Sequence, residues 1–360
     1  MHLPNFFLKS FRLILFPFAI IFGLILKFRN YLYDKGILKT MRFNLPIINV
    51  GNLSVGGTGK SPMVEFLIQD LKAVYKVATL SRGYKRRTKG YILANSATTA
   101  VEIGDEPMQF HIKHPDIPVA VGEERIVAVP QLLYDNPETQ VIILDDAFQH
   151  RAITAGYSII LTNYDDLYTR DFYLPTGDLR DNPSSAQRAD CIVVTKCPSN
   201  LTEREAQEIK KELNVLSHQH VFFTTIQYGE SFHILTGEKQ RLTKDMETLL
   251  ICGIANPAPL THYIMEHSLT YEAMFYQDHH IFTIDELRDM RKRFENIRNP
   301  KKIMLTTEKD AVRLIKFKEE LASMPLYVLP ISIAFLFNGE AHFKTLIHNF
   351  IENFVKISDQ

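Results

Sequence analysis

The sequence predicts an α/β protein, with a P-loop NTPase-type parallel sheet core, a second smaller α/β lobe and an N-terminal membrane-interface helix. Three observations predict it. The residues Ser54-Val55-Gly56-Gly57-Thr58-Gly59-Lys60-Ser61 lie between the apolar run Pro46-Ile47-Ile48-Asn49-Val50 and an amphipathic segment over residues 63–71. Apolar β-branched runs alternate with helical patterns from residue 46 onward, as expected of strands buried on both faces beneath crossover helices. Ahead of both, Leu13 to Leu26 form a fourteen-residue apolar run, with Arg12 before it and Lys27 and Arg29 after it.

That apolar run is the first element. A helix needs about 20 apolar residues to span a bilayer, so fourteen fall short. No small-residue cleavage site follows, and basic residues flank both ends, which argues against a secretory signal. A basic, aromatic-bearing helix lying in the membrane interface is the expectation. A buried core helix and a true span are the competing readings. Residues 1–43 carry seven Lys/Arg (Lys9, Arg12, Lys27, Arg29, Lys35, Lys39, Arg42) against one acid, Asp34.

The core follows. Strands are expected at residues 46–50, 77–80, 118–121, 141–144, 158–161 and 191–195, with helical stretches at 63–71, 123–134 and 203–213. Past about residue 215 the pattern changes, to strands at 221–226, 249–252, 303–306 and 326–331 and a helix at 285–294. The expected organisation is an N-terminal helix over residues 1–40, a P-loop core over 41–220 and a smaller lobe over 221–360. A chain of 360 residues is long enough for two such lobes. Its 41 basic and 41 acidic residues cancel, so the whole molecule is not built to bind nucleic acid. Cys191, Cys197 and Cys252 have neither zinc-like nor disulfide-framework spacing and read as free thiols.

The chemistry starts at the glycine loop. Glycines let backbone N–H groups turn inward around phosphate oxygens, and the helix N-terminus adds partial positive charge. Lys60 would reach β/γ-phosphates and the Ser61 hydroxyl would sit on Mg²⁺. Ser54 stands where the general pattern has glycine. The apolar strand Val141-Ile142-Ile143-Leu144 ends in Asp145-Asp146, the place from which P-loop enzymes hold Mg²⁺. If the strand continues, the two carboxylates point to opposite sides, so one ligates and the other orients.

Other candidates lie in expected loops. Gly104-Asp105-Glu106-Pro107 offers a carboxylate able to take the proton of an attacking hydroxyl, or else a solvated turn. Ser81-Arg82-Gly83-Tyr84 follows a strand at the edge where open α/β sheets place ligands, with Arg82 suited to phosphate and Tyr84 to packing on a ligand. Lys85-Arg86-Arg87 is a solvated basic face, or an attractor for acidic headgroups. Leu174-Pro175-Thr176-Gly177-Asp178-Leu179-Arg180 is a punctuated loop whose Arg180 suits an anion. Asp278-His279-His280 is an acid-imidazole group ahead of the strand-like residues 281–284. It has no third metal ligand at a recognisable spacing. Thr307 reads as the N-cap of a helix opened by Glu308-Lys309-Asp310, a segment that capping and surface charge account for.

Taken together and in order, these motifs resemble the tetraacyldisaccharide 4′-kinases, the lipid A 4′-kinases of Gram-negative bacteria. The resemblance runs from the apolar helix through Gly51-Asn52-Leu53-Ser54 to Pro62, Ser81 to Tyr84, Gly104 to Pro107, Asp145 to His150, Leu174 to Gly177, Asp278 to His280 and Thr307 to Asp310. Ser54 agrees with that family. Ala147 departs where the family often has Gly, and Asp178 where it often has Pro. The resemblance implies transfer of the ATP γ-phosphate to the 4′-hydroxyl of a tetraacylated disaccharide 1-phosphate, with ATP and Mg²⁺ as cofactors. It implies that Asp105 is the catalytic carboxylate, paired with His279. It implies too that Asp145 and Asp146 form the Mg²⁺ region, with Glu106 and Tyr84 near the active site. The partners it implies are an acylated disaccharide lipid and the cytoplasmic face of the bacterial inner membrane, with no nucleic acid and no obligate protein partner. A membrane-associated P-loop NTPase switch and a soluble small-molecule kinase are the rivals. No Asn-Lys-x-Asp guanine signature is present, although Thr195-Lys196 ends a strand.

Overall fold

A computed structural model describes residues 12–354; Lys9, counted above among the basic residues, lies outside them. Helix α1 (Phe16–Asp34) precedes β1 (Ile47–Asn52), α2 (Lys60–Leu71), β2 (Val77–Ser81), β3 (Ile92–Leu93), α3 (Ala100–Ile103), α4 (Asp105–Lys113) and β4 (Val119–Val121). Then come α5 (Arg125–Asp135), β5 (Val141–Asp145), β6 (Tyr157–Asn163), β7 (Cys191–Thr195), α6 (Glu203–Glu212) and β8 (His220–Tyr228). The second lobe holds β9 (Ser231–His233), β10 (Lys239–Gln240), β11 (Glu247–Cys252), α7 (Ala258–His267), β12 (Thr270–Phe275), α8 (Ile284–Asn296), β13 (Lys302–Thr307), α9 (Glu308–Leu314), α10 (Lys318–Leu321) and β14 (Leu326–Leu329). Strand β15 (Ile331–Phe335) and helix α11 (Gly339–Glu352) close the described chain.

The first sheet runs β15-β8-β7-β6-β1-β5-β2-β4-β3. Its strands from β8 to β4 are parallel, and β15 and β3 are antiparallel edges. Every residue of β1, β5 and β7 is buried, which is why their sequences are mostly apolar and polar residues stand chiefly at their C-terminal ends. Ile48, Val50, Met63, Leu67 and Ile143 pack α2 against the sheet in one cluster. The β1–β5 register pairs Val50 with Asp145, so the glycine loop and the two carboxylates leave the sheet side by side at its C-terminal edge.

The second sheet runs β10-β9-β14-β13-β11-β12. Here the expected lobe boundary is corrected. Strand β8 belongs to the first sheet, and residues 326–331 are not one strand. Pro330 has no N–H to give a ladder, and it separates β14, in the second sheet, from β15, in the first. The chain therefore leaves the core at Gly229 and returns at Pro330, where the Gly229 N–H donates to the Pro330 carbonyl at 2.9 Å. Residues 331–354 belong with the core. The strand-like residues 281–284 are also corrected: Thr283 and Glu286 form a capping box that starts α8 at Ile284.

Helix α1 is longer than its apolar run. With a 3-10 turn at Leu13–Leu15 it makes a 22-residue stretch, long and apolar enough by length and composition to cross a membrane. One face is docked on the core. Ala19, Gly23 and Leu26 are buried, and a Cβ on Gly23 would stand 2.7 Å from Tyr173 Cε2. Asn30 Nδ2 donates to Asp181 Oδ1 at 2.9 Å, and Arg29 donates to the Gln149 carbonyl at 2.6 Å. The opposite face leaves Ile14, Phe18, Ile21, Leu24, Ile25 and Phe28 exposed.

Candidate active site

The glycine loop is shaped by its own backbone. Gly56 has φ +101° and Gly59, the N-cap of α2, has φ +84°, values that residues with a Cβ rarely adopt. Ser54 needs no such freedom, because it lies in an antiparallel bridge with Leu179 and is not among the positive-φ residues. The loop is buttressed from both sides. Asn52 Nδ2 donates to Thr58 Oγ1 at 2.9 Å, Thr195 Oγ1 donates to the Thr58 carbonyl at 2.9 Å, and Lys196 Nζ donates to the Gly57 carbonyl. Thr195-Lys196 thus serves the phosphate loop directly.

Lys60 leaves the loop toward the end of β5, its Nζ 3.8 Å from Asp146 Oδ1. Burial lowers the Lys60 ammonium below its ordinary value, against the pull of Asp146. Strand β5 ends at Asp145 and Asp146 turns away with φ +54°, so the alternation expected of a continuing strand does not apply. The two acids sit in different surroundings. Asp146 is taken by Arg180, which donates from Nη1 to Oδ2 at 3.0 Å and from Nη2 to Oδ1. Burial pushes the Asp146 carboxyl up, but the Arg180 bonds and the Lys60 charge outweigh it and hold it low. Asp145 is buried with Oδ2 accepting from Ser81 Oγ at 3.3 Å, and Oδ1 has no partner among the described residues. Burial, and then the Asp146 charge, push Asp145 up to about 7.

Gly104 to Pro107, expected as a loop, instead opens helix α4. Gly104 has φ +94°, and a Cβ there would come 3.1 Å from the Tyr84 carbonyl, so the Ser81–Tyr84 turn packs directly on the helix start. Asp105 is not solvated. Its Oδ2 lies 2.6 Å from His279 Nδ1 and 3.1 Å from Arg313 Nε. His279 projects from the loop between β12 and α8 with φ +64°, its ring centroid 5.8 Å from that of Tyr84. On the other side of the imidazole, Lys309 Nζ lies 3.3 Å from Nε2, 3.2 Å from Asp278 Oδ1 and 3.5 Å from Glu106 Oε1. An ammonium only donates, so this contact makes Nε2 the acceptor and leaves the ring proton on Nδ1, facing Asp105. Glu106 joins the two halves of the site, since its charge acts on both Lys60 and Asp145.

The structure therefore gathers Lys60, Ser61, Asp105, Glu106, Asp145, Asp146, Arg180, His279 and Asp278 at one sheet edge. Arg82 is exposed, with its charge felt at Arg125 and His150. Three cations were not legible as site residues: Lys309, Arg313 and Arg125. Arg125 is buried at the start of α5, where burial lowers it to about 10 and the charge of Asp145 partly restores it. A signal for the first two did exist. Lys309 and Arg313 are four residues apart behind the Thr307 cap, which puts both on one face of α9.

A family model described as tetraacyldisaccharide-1-P 4′-kinase matches residues 11–352. The chain belongs to the tetraacyldisaccharide 4′-kinase family. It is 46% identical over 345 residues to the tetraacyldisaccharide 4′-kinase of Flavobacterium johnsoniae, covering 95% of this chain and 97% of that one. It is 40% identical over 360 residues to that of Parabacteroides distasonis, covering 96% of each. Among solved structures it is similar to LpxK from Aquifex aeolicus in complex with ATP, with a TM-score of 0.74 and 27% identity over 95% of this chain and 99% of that one. Membership in the 4′-kinase family makes the protein a phosphotransferase with an alcohol acceptor, working in lipid A biosynthesis. The NTPase switch gives way to this reading, and so does a small-molecule acceptor.

Proposed function

We propose that the protein transfers the γ-phosphate of ATP to the 4′-hydroxyl of a tetraacylated disaccharide 1-phosphate at a membrane surface, with Asp105 as the base. The observation that carries this is the 2.6 Å contact of Asp105 with His279, which spans the two lobes opposite the P-loop. His279 and Arg313 both engage Oδ2 of Asp105, leaving Oδ1 to accept the hydroxyl proton. The sugar oxygen then attacks the γ-phosphorus, the bond to the β,γ-bridging oxygen breaks, and ADP leaves. Lys60 and the loop amides hold the β- and γ-phosphates, so most of the rate comes from positioning and charge stabilisation. His279 orients Asp105 and Lys309 orients His279.

Mg²⁺ enters this proposal through an orphaned atom. The unpartnered Asp145 Oδ1, in a buried carboxylate with a raised proton affinity, fits a hard cation that takes oxygen ligands. Asp145 and Ser61 would hold it, and Asp146, tied to Arg180, would orient the surrounding groups. Bound there, the ion supplies charge neutralisation at the phosphate oxygens.

Helix α1 lies in the interface of the cytoplasmic face of the inner membrane, monotopic because one of its faces is docked on the core. Its exposed apolar side chains sit among the acyl chains, and the disaccharide reaches the sheet edge beside it. The test is direct. Purified protein is incubated with ATP and the disaccharide lipid in mixed micelles, and the product is read by mass spectrometry. Gain of one phosphoryl group on the distal sugar supports the reading, and its absence overturns it.

A further inference from the structure

Behind the residues that face nucleotide and acceptor, one ammonium joins three helices. Lys113 Nζ donates to Glu308 Oε1 at 2.6 Å and to Glu65 Oε2. The remaining oxygens are also taken: Glu65 Oε1 accepts from Gln109 Nε2 at 2.7 Å, and Glu308 Oε2 accepts from the Ile331 N–H at 3.1 Å. Glu65 and Glu308 are only 4% and 6% exposed, so their mutual repulsion is hardly screened. Burial and the charge of Glu308 push the Glu65 carboxyl up, with Lys113 opposing them. Burial works against the Lys113 ammonium as well, yet the two carboxylates hold it above its ordinary value.

The three partners come from the three helices that carry the chemistry. Glu65 is on α2, which opens with Lys60 and Ser61. Lys113 closes α4, which opens with Asp105 and Glu106. Glu308 opens α9, which carries Lys309 and Arg313. Ile331 opens β15, the strand by which the chain returns from the second lobe. A shift of the second lobe against the core must stretch these bonds or carry all three helices along.

We propose that Lys113 is a positioning residue: clamped between Glu65 and Glu308, it fixes the register of the second lobe on the P-loop helix, so that Asp105, His279 and Lys309 meet the γ-phosphate. This assignment rests on the phosphoryl-transfer reading above.

The test uses the full chain. The kcat, the ATP dissociation constant and the melting temperature are measured for wild type, Lys113→Arg, Lys113→Met and the triple variant Glu65→Gln/Lys113→Met/Glu308→Gln. Misplacing a reacting group by about 1 Å costs about 10²-fold, so Lys113→Met is expected to lose kcat on that scale while ATP affinity moves less than about threefold. Lys113→Arg, which keeps the cation, is expected to recover much of the loss. The triple variant leaves no unpaired buried charge, so it is expected to melt near wild type while its kcat stays low. A purely structural role predicts instead that kcat returns with the melting temperature, and that result overturns the proposal. If Lys113→Met does not fold, the triple variant decides alone, and turnover within about threefold of wild type overturns it. A wild-type protein that phosphorylates no disaccharide lipid defeats the underlying reading, a failure distinct from any result on Lys113.

Discussion

His279 Nδ1 meets Asp105 Oδ2 at 2.6 Å although 174 residues separate them in the chain. Asp105 comes from the core and His279 from the second lobe, so the base is fully built only when the lobes are together. Asp105→Asn keeps the shape and removes the proton acceptor, and is expected to lower kcat by about 10²–10⁴-fold. ATP binding, made by the P-loop, should be unchanged. Steady-state kinetics paired with calorimetric ATP titration checks both parts.

Lys309 acts through the imidazole. With Lys309→Met the donor to Nε2 is gone, and His279 is free to carry its proton there and turn an acceptor toward Asp105. The expected loss in kcat is about tenfold or more. The ¹⁵N shifts of His279 should report a changed tautomer, which a general loss of packing would not produce.

The two acids at the end of β5 should separate in a Mg²⁺ titration. Asp145→Asn is expected to raise the Mg²⁺ needed for half-maximal velocity by about tenfold or more. Asp146→Asn leaves Arg180 and Lys60 without their carboxylate, and is expected chiefly to raise the KM for ATP.

Helix α1 has two faces with different duties. Leu24→Lys and Ile21→Lys lie on the exposed side, and each should weaken vesicle binding by about tenfold or more, since burying such a side chain contributes about 1.5–3 kcal/mol. Gly23→Leu strikes Tyr173 on the docked side, so it should loosen the helix from the core with its apolar surface intact. Liposome flotation and limited proteolysis read the two outcomes.

His114 provides a pH test. Its two ring nitrogens are buried and unpartnered among the described residues, and burial, with Lys72 and Lys113 adding to it, lowers the ring from 6.5 to about 4. A lowered imidazole pKa means the unfolded chain binds the proton first, so stability falls as pH drops below about 6.5 and keeps falling toward about 4. Between pH 7 and pH 5, wild type should lose about 2 kcal/mol more than His114→Leu in urea unfolding.

Much of this was legible locally. The glycine loop with its flanking strand and helix, the apolar run that opens β7 and the Asp145-Asp146 pair depend on residues adjacent in sequence, where period and punctuation carry the signal. Asp105 is different. Spacing alone left it a solvated turn, because what makes it special is an imidazole and a guanidinium from another lobe. Pro107 in the first turn was a helix-start signal, masked by Gly104 ahead of it. Pro330 hid in an apolar run and moved residues 331–354 from one lobe to the other. Lys309 gains its role from His279, 30 residues away, and Lys113 from Glu308, 195 residues away, and no local pattern encodes those pairings.

The central claim is that Asp105 and His279 act as one unit on the sugar hydroxyl. Single-turnover transfer to the disaccharide lipid by wild type, Asp105→Asn, His279→Gln and the double variant tests it most directly. The account predicts that the double variant is no slower than Asp105→Asn alone, because His279 works only through that carboxylate. Losses that multiply, or an Asp105→Asn protein that turns over at the wild-type rate, would contradict it.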